Sequence, residues 1–305
     1  MTNEQRIKNL TPPRGVVDVI LDTDAYNEVD DQFAIAYLLR NKQKLNTLKI
    51  YAAPFFHTIN KKSASPKDGM EKSYDEVLKV LSLADEEVPV LKGSDAFLPD
   101  ESTPVLSDAA YDLATVAMNY SAENPLYVVA IGAITNIASA ILINPDITEN
   151  IVVVWLGGHA LHYHHTKEFN MMQDVAAARV VMLSGVPLVM LPCEGVVSSF
   201  TISKPEFEYW FIGKNPLATY LAENSIKEAD GYAFGTPWTR VIWDVTAVAW
   251  LLNEDNRFML SRKIETPLPS YSNIYEEKCE HVCEYVYSIR RNTLMKDLID
   301  KICIT

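Results

Sequence analysis

The chain has no stretch rich enough in Gly, Ser or Pro to serve as a linker, and no repeat or low-complexity tract. Residues 1–305 therefore read as a single domain, long enough to bury a substantial core. Cysteine is scarce: Cys193, Cys279, Cys283 and Cys303 are too few and too unevenly spaced for a disulfide framework. Basic residues are outnumbered, 27 against 40 acidic ones, for a net charge of −13. That balance excludes a general nucleic-acid binder, which needs clustered Lys and Arg to meet phosphates. Apolar runs are short. None approaches the roughly 18 residues of a membrane span, and the opening MTNEQRIKNLTPPRG lacks the apolar segment of a signal peptide. The expectation is a soluble, cytoplasmic protein without membrane contact.

Short β-branched runs alternate with helical patterns, the mark of parallel βαβ units. Strands are expected at residues 16–22, 47–53, 88–91, 126–132, 151–157 and 186–191. They are nearly continuous in apolar residues, as in a sheet covered on both faces. Helices are expected from about Asp30, Asp68, Ile134 and Asp174, and across TRVIWDVTAVAWLL. The fold class is α/β, a mostly parallel central sheet flanked by helices in a Rossmann-like arrangement. The chain after about Lys204 reads as less regular, above all residues 254–305. Within it EKCEHVCEYVYSI alternates like a strand, which favours one face shared by Cys279, His281 and Cys283 over a metal site.

Ligands of such sheets sit beyond the carboxyl ends of the strands. Four polar clusters fall there or at helix starts: Asp22, Asp24, Asp30 and Asp31; Ile131–Gly132; Glu168–Phe169–Asn170; and Asp244. The first belongs to LDTDAYNEVDDQF, which packs five acids behind the apolar VVDVI. Two carboxylates about 4 Å apart repel by roughly 4 kcal/mol at an effective dielectric near 20. Such a cluster is stable only if spread out, protonated or bound to a cation; helix-dipole and turn hydrogen bonds are one reading of it, a hard divalent cation the economical one, and oxygen donors suit calcium or magnesium rather than zinc. An EF-hand is excluded, because Asn27 and Phe33 stand where its Gly and Glu would be. A magnesium-dependent phosphotransferase of the Asp-x-Asp type, with Asp22 as nucleophile, is the alternative, although Tyr26 replaces its Thr or Val.

The ordered clusters resemble the nucleoside hydrolases, the calcium-dependent N-ribohydrolases typified by inosine-uridine preferring enzymes, from about residue 16 to 253. The family's Asp-x-Asp-x-x-x-Asp-Asp is similar to Asp22, Asp24, Asp30 and Asp31, with the spacer 25–29 two residues longer. Its Gly-Pro-Leu-Thr-Asn turn is similar to Gly132–Ala133–Ile134–Thr135–Asn136, its Glu-Phe-Asn to Glu168–Phe169–Asn170, its next helix start to Asp174–Val175–Ala176–Ala177, and its C-terminal aspartate to Asp244.

The resemblance implies hydrolysis of ribonucleosides to base and ribose. Calcium would be held by Asp24, Asp31, the carbonyl of Ile131 and Asp244. Asp24 would be the general base and Asp22 its support. Asp30 and Asn170 would bind ribose hydroxyls, with Glu168 accepting from the 5′ hydroxyl. Asn27, in the lengthened spacer, is a candidate for a missing ribose-pocket amide; Glu28 receives no role. Trp243, where many members carry His, resembles the purine-specific branch and would stack on the base, implying purine salvage. Phe55 or Phe56 offers a second aromatic wall. His159, His162, His164 and His165 would line or cover the pocket, and GYAFGTPWTR would form a lid. Family members are commonly dimers or tetramers. A member of the fold that binds nucleosides without turnover is a further alternative.

Overall fold

The structure, a computed structural model, describes residues 1–57 and 61–304. All six expected strands form: β1 (Val17–Thr23), β2 (Leu45–Ala52), β3 (Val90–Lys92), β4 (Leu126–Ala130), β5 (Ile151–Leu156) and β6 (Leu188–Leu191). Two short strands follow, β7 (Thr201–Ser203) and β8 (Thr239–Val241), and then a long hairpin, β9 (Met259–Pro269) and β10 (Tyr275–Ile289). The main sheet has eight strands in the order β3-β2-β1-β4-β5-β6-β10-β9, and β7 pairs separately with β8. Every neighbouring pair in the main sheet is parallel except β10 with β9.

Why the central strands lack polar alternation is clear from their two faces. Val19 and Leu21 of β1, Val129 of β4 and Val152 and Val154 of β5 belong to one hydrophobic cluster. Ile20, Val128, Ala130, Val153 and Trp155 belong to another, on the opposite face. Successive side chains alternate across a strand, so burial on both faces demands apolar residues at every position. The helix Asp31–Leu39 follows the same rule: all nine of its residues are buried.

The chain beyond Lys204 is more ordered than expected. Helices span Lys204–Trp210 and Pro216–Ala233, and β10 adds itself parallel to β6. The stretch TRVIWDVTAVAWLL is divided: β8 occupies Thr239–Val241, and the helix runs only over Val245–Trp250. Antiparallel pairing of Thr239–Val241 with Thr201–Ser203 satisfies backbone groups that a longer helix would have used internally. In β10, Cys283 is buried and Cys279 donates its thiol to the Met182 carbonyl, as side chains packed for structure do. No helix among the described residues is long and apolar enough to cross a membrane.

Candidate active site

The four central strands β1, β4, β5 and β6 are adjacent and parallel, so their carboxyl ends open on one edge of the sheet. A cleft lies there, lined by Asp24 after β1, Ile131 after β4, His159 after β5 and Cys193 after β6. Asn27, Glu28, Asp30, Asp31, Glu168, Phe169, Asn170, Trp243 and Asp244 complete most of its wall. Residues far apart in the chain thus converge where an α/β sheet ordinarily binds its ligand.

Carboxylates dominate this cleft. Ligand oxygens of Asp30, Asp31 and Asp244 all lie within 4.8 Å of one another, and all three residues are buried. Asp30 rather than Asp24 is therefore the third member of this tightest group. Asp24 faces the same charges from close by, and its Oδ2 is buried without any hydrogen-bond partner. Burial, then repulsion from Asp31 and Asp30, holds the Asp24 carboxyl well above the usual range. Burial likewise raises Asp30, Asp31 and Asp244, reinforced by their neighbours' charges.

Capping does not explain the cluster. Asp30 and Asp244 occupy the N-cap positions of their helices, yet neither side chain makes a cap hydrogen bond. Ser65, Ser107, Asp174 and Asn215, at other helix starts, all make theirs. A cap aspartate that leaves its helix uncapped forgoes about 1 kcal/mol, and two at one cleft point to another ligand for those oxygens. Buried, mutually repelling carboxylates with a partnerless Oδ2 fit a hard divalent cation, whose charge would satisfy them.

Asp22 stands behind the cleft rather than in its wall. It accepts from Asn136 Nδ2 at 2.7 Å, and burial raises its carboxyl to about 7. Asn136 in turn accepts from the Ser94 N–H at 2.7 Å and hydroxyl at 2.8 Å. A nucleophilic Asp22 would have to reach a substrate, so this placement removes the phosphotransferase reading. The Thr23 hydroxyl donates to Asp31 Oδ1 at 2.5 Å, fixing that carboxylate from β1. Neither Asn136 nor Thr23 drew a role from the sequence, although Asn136 sits inside a motif singled out there.

Gly132 begins the turn after β4 at a close approach: a Cβ there would lie 3.1 Å from Asp24 Oδ1 and from Ala53 Cβ, tighter than ordinary contact. Asn170 Nδ2 donates to the Ile131 carbonyl at 3.1 Å and to the Leu156 carbonyl at 3.0 Å. The amide thereby ties the ends of β4 and β5 together.

Glu168 lines the cleft, where its carboxylate is also held by the protein. Its carboxylate accepts from the N–H groups of Gly158 at 2.8 Å, Asn170 at 2.9 Å and Met171 at 3.0 Å. The Cys193 thiol bonds to it as well. With about four acceptor sites on a carboxylate, Glu168 is filled by the protein as a helix cap and turn anchor. Cys193 is held in its thiol form by burial and by the Glu168 and Asp244 charges.

The aromatic wall is also relocated. Phe55 is fully buried and Phe56 is on the surface, its N–H donating to Gln173 at 2.7 Å; residues 58–60 of that segment lie outside the described residues. Phe169 lines the cleft instead, stacked on His57 with ring centres 5.1 Å apart. Trp243, next to Asp244, is half-buried, lines the cleft and also packs against the hydrophobic core. Among the four expected histidines only His159 lines the cleft, and its Nδ1 accepts from the Glu194 N–H at 3.4 Å. In the expected lid, Tyr232 and Phe234 are exposed, while Trp238 donates to Asp230 at 3.0 Å.

Residues 19–282 match the model of the inosine-uridine preferring nucleoside hydrolases. The chain belongs to that family. As a nucleoside hydrolase it is an enzyme that cleaves ribonucleoside N-glycosidic bonds. A non-specific ribonucleoside hydrolase, RihC, of Salmonella enteritidis is 28% identical over 263 residues, spanning 78% of this chain and 79% of that protein. Among solved structures, a plant nucleoside hydrolase, PpNRh1, superposes with a TM-score of 0.73 at 17% identity, covering 96% of this hydrolase and 100% of that chain. A purine-preferring ribonucleoside hydrolase from Gardnerella vaginalis gives a TM-score of 0.69 at 19% identity, with 94% and 98% covered. At such identities these two structures speak for the shared fold.

Proposed function

We propose that this nucleoside hydrolase is calcium-dependent, favours purine ribonucleosides and serves purine salvage in the cytoplasm. The observation that carries the reading is the buried Asp24 Oδ2, without a hydrogen-bond partner among the described residues, beside the clustered carboxylates of Asp30, Asp31 and Asp244. Asp24, Asp31, Asp244 and the Ile131 carbonyl would hold the ion, and Asp30, which shares the carboxylate group, is the candidate for a mixed role between ion and sugar. When bound, calcium supplies positive charge that orients ribose hydroxyls and acidifies a water.

The chain's own groups then divide the work. Asp24 Oδ2 takes a proton from the attacking water, a contribution of about 10²- to 10⁴-fold in rate. The water oxygen bonds to C1′ as the bond from C1′ to the base nitrogen breaks, and the base leaves with a proton from solvent. Asp30 and the amide oxygen of Asn170 accept from ribose hydroxyls, since the Asn170 nitrogen is already committed to Ile131 and Leu156. Asn27 adds an acceptor: its Oδ1 is buried at the cleft without a partner. A site built to pair with hydroxyls rejects analogues that lack them by large factors, so 2′-deoxynucleosides are poor substrates.

Trp243 and Phe169 offer two aromatic surfaces for the base. Stacking on an aromatic side chain is worth about 1–3 kcal/mol per base, and favours the larger purine. Ribose release from inosine, adenosine, guanosine, uridine and cytidine tests this. Purines should lead; a pyrimidine released at least as fast would remove the stacking argument.

A further inference from the structure

The lengthened spacer 25–29 is no surface excursion. Ala25, Asn27 and Val29 are buried, and Asn27 and Glu28 line the cleft. Glu28, for which the sequence offers no purpose, has a specific partner: its Oε2 meets Arg240 Nη2 at 2.9 Å. The same guanidinium lies 3.7 Å from Glu228 Oε1 and donates from Nη1 to the Tyr232 hydroxyl at 3.0 Å. Lys62 closes the other side, donating to the Asn27 carbonyl at 2.6 Å and pairing with Glu228 Oε2 at 3.0 Å.

Alternating charges therefore join the spacer to residue 62, to the last turns of the helix Pro216–Ala233 and to β8. The position matters more than the count. Arg240 lies on β8, which leads directly into Trp243 and Asp244; Glu28 leads directly into Asp30 and Asp31. The pair thus links the two chain segments that bring Asp30, Asp31 and Asp244 together. The Arg240 side chain is only 13% exposed, so water and salt screen it less than a surface pair.

We propose that Arg240 is a positioning residue for substrate binding: by pairing with Glu28 it fixes the spacer and keeps the Asn27 side-chain oxygen in the cleft wall as an acceptor for a nucleoside hydroxyl. The proposal rests on the nucleoside reading above. It assigns the two extra residues of the spacer a purpose, namely to reach a brace on β8. Because the brace orders a binding loop and touches no reacting atom, its loss falls on KM rather than on kcat.

Steady-state kinetics on inosine with Arg240→Gln, Glu28→Gln and the double variant test it. Each single change should raise KM by about tenfold and leave kcat within about threefold, as for truncation of a coupled charge pair. The double variant should be no worse than the worse single. Arg240→Lys should recover part of the loss, since it keeps the charge without the planar fork that reaches both Glu28 and Tyr232. Parental KM in both singles, or additive effects shared equally between KM and kcat, overturns the proposal. A second readout needs no turnover: amide hydrogen exchange of residues 25–29 should speed up in Arg240→Gln while β1 and β4 stay protected. Unchanged exchange in the spacer overturns the brace. A parent protein that releases no ribose from any nucleoside contradicts the substrate reading instead, and the exchange measurement then decides the brace alone.

Discussion

Asp30 and Asp244 each stand at the start of a helix, bring their carboxylates within 4.8 Å of each other, and leave both helices uncapped. Two negative groups so placed destabilise the fold unless something binds them. Asp244→Asn should therefore raise the stability of the metal-free protein by on the order of 1–3 kcal/mol and abolish the stabilisation that calcium gives. Thermal unfolding with and without calcium checks both halves.

The same argument fixes a pH dependence. Burial raises Asp22 to about 7 and pushes Asp24, Asp30, Asp31 and Asp244 above their ordinary values in the metal-free protein. A carboxyl whose folded pKa lies above its unfolded value binds more protons folded than unfolded, so stability falls as pH rises between the two. For Asp22 that window runs from its ordinary value of 3.8 to about 7. Metal-free protein should accordingly lose stability from pH 4 upward through about 7 in urea titrations. Added calcium should flatten or reverse the slope.

Gly132→Ala is a test of positioning. The new methyl would sit 3.1 Å from Asp24 Oδ1 and from Ala53 Cβ, closer than ordinary contact, so these neighbours must give by a few tenths of an ångström, and Asp24 is the proposed base. Small displacements of a reacting group are costly, up to about 10²-fold for 1 Å. The expected outcome is a kcat lowered by about tenfold or more with KM little changed. An unaltered kcat would show that Asp24 tolerates displacement.

Glu168→Ala should act through the fold. It leaves the N–H groups of Gly158, Asn170 and Met171 without their acceptor, which costs about 1–3 kcal/mol or more for a buried set. Denaturant unfolding should register this loss, while KM for inosine and for 5′-deoxyinosine should change by similar factors. A selective loss of the 5′ hydroxyl's contribution would instead return Glu168 to the sugar.

Much of this architecture was legible because it rests on local chemistry. β1, β4, β5 and β6 are apolar at every position since both faces of the sheet are covered, and the acids follow those strands directly. The helix Pro216–Ala233 is missed by a reading of the chain after Lys204 as less regular, although Asn215–Pro216, a cap residue followed by the residue favoured at the first helical position, is a local signal for its start. The hairpin of β9 and β10 was harder, because three register shifts interrupt its alternation. What no local pattern carries is partnership across the fold. Glu28 with Arg240, Asn136 with Asp22 and Thr23 with Asp31 each depend on which strand lies beside which. Phe169 in place of Phe55 or Phe56 is of the same kind: neighbouring rings are indistinguishable until packing decides which is buried.

Ribose release from inosine after exhaustive chelation, and again after calcium is returned, tests the central claim most directly. The account predicts that turnover falls to about a hundredth or less without the ion, returns with calcium in the parent protein, and does not return in Asp24→Asn. Undiminished release in chelator, or full recovery in Asp24→Asn, would contradict it.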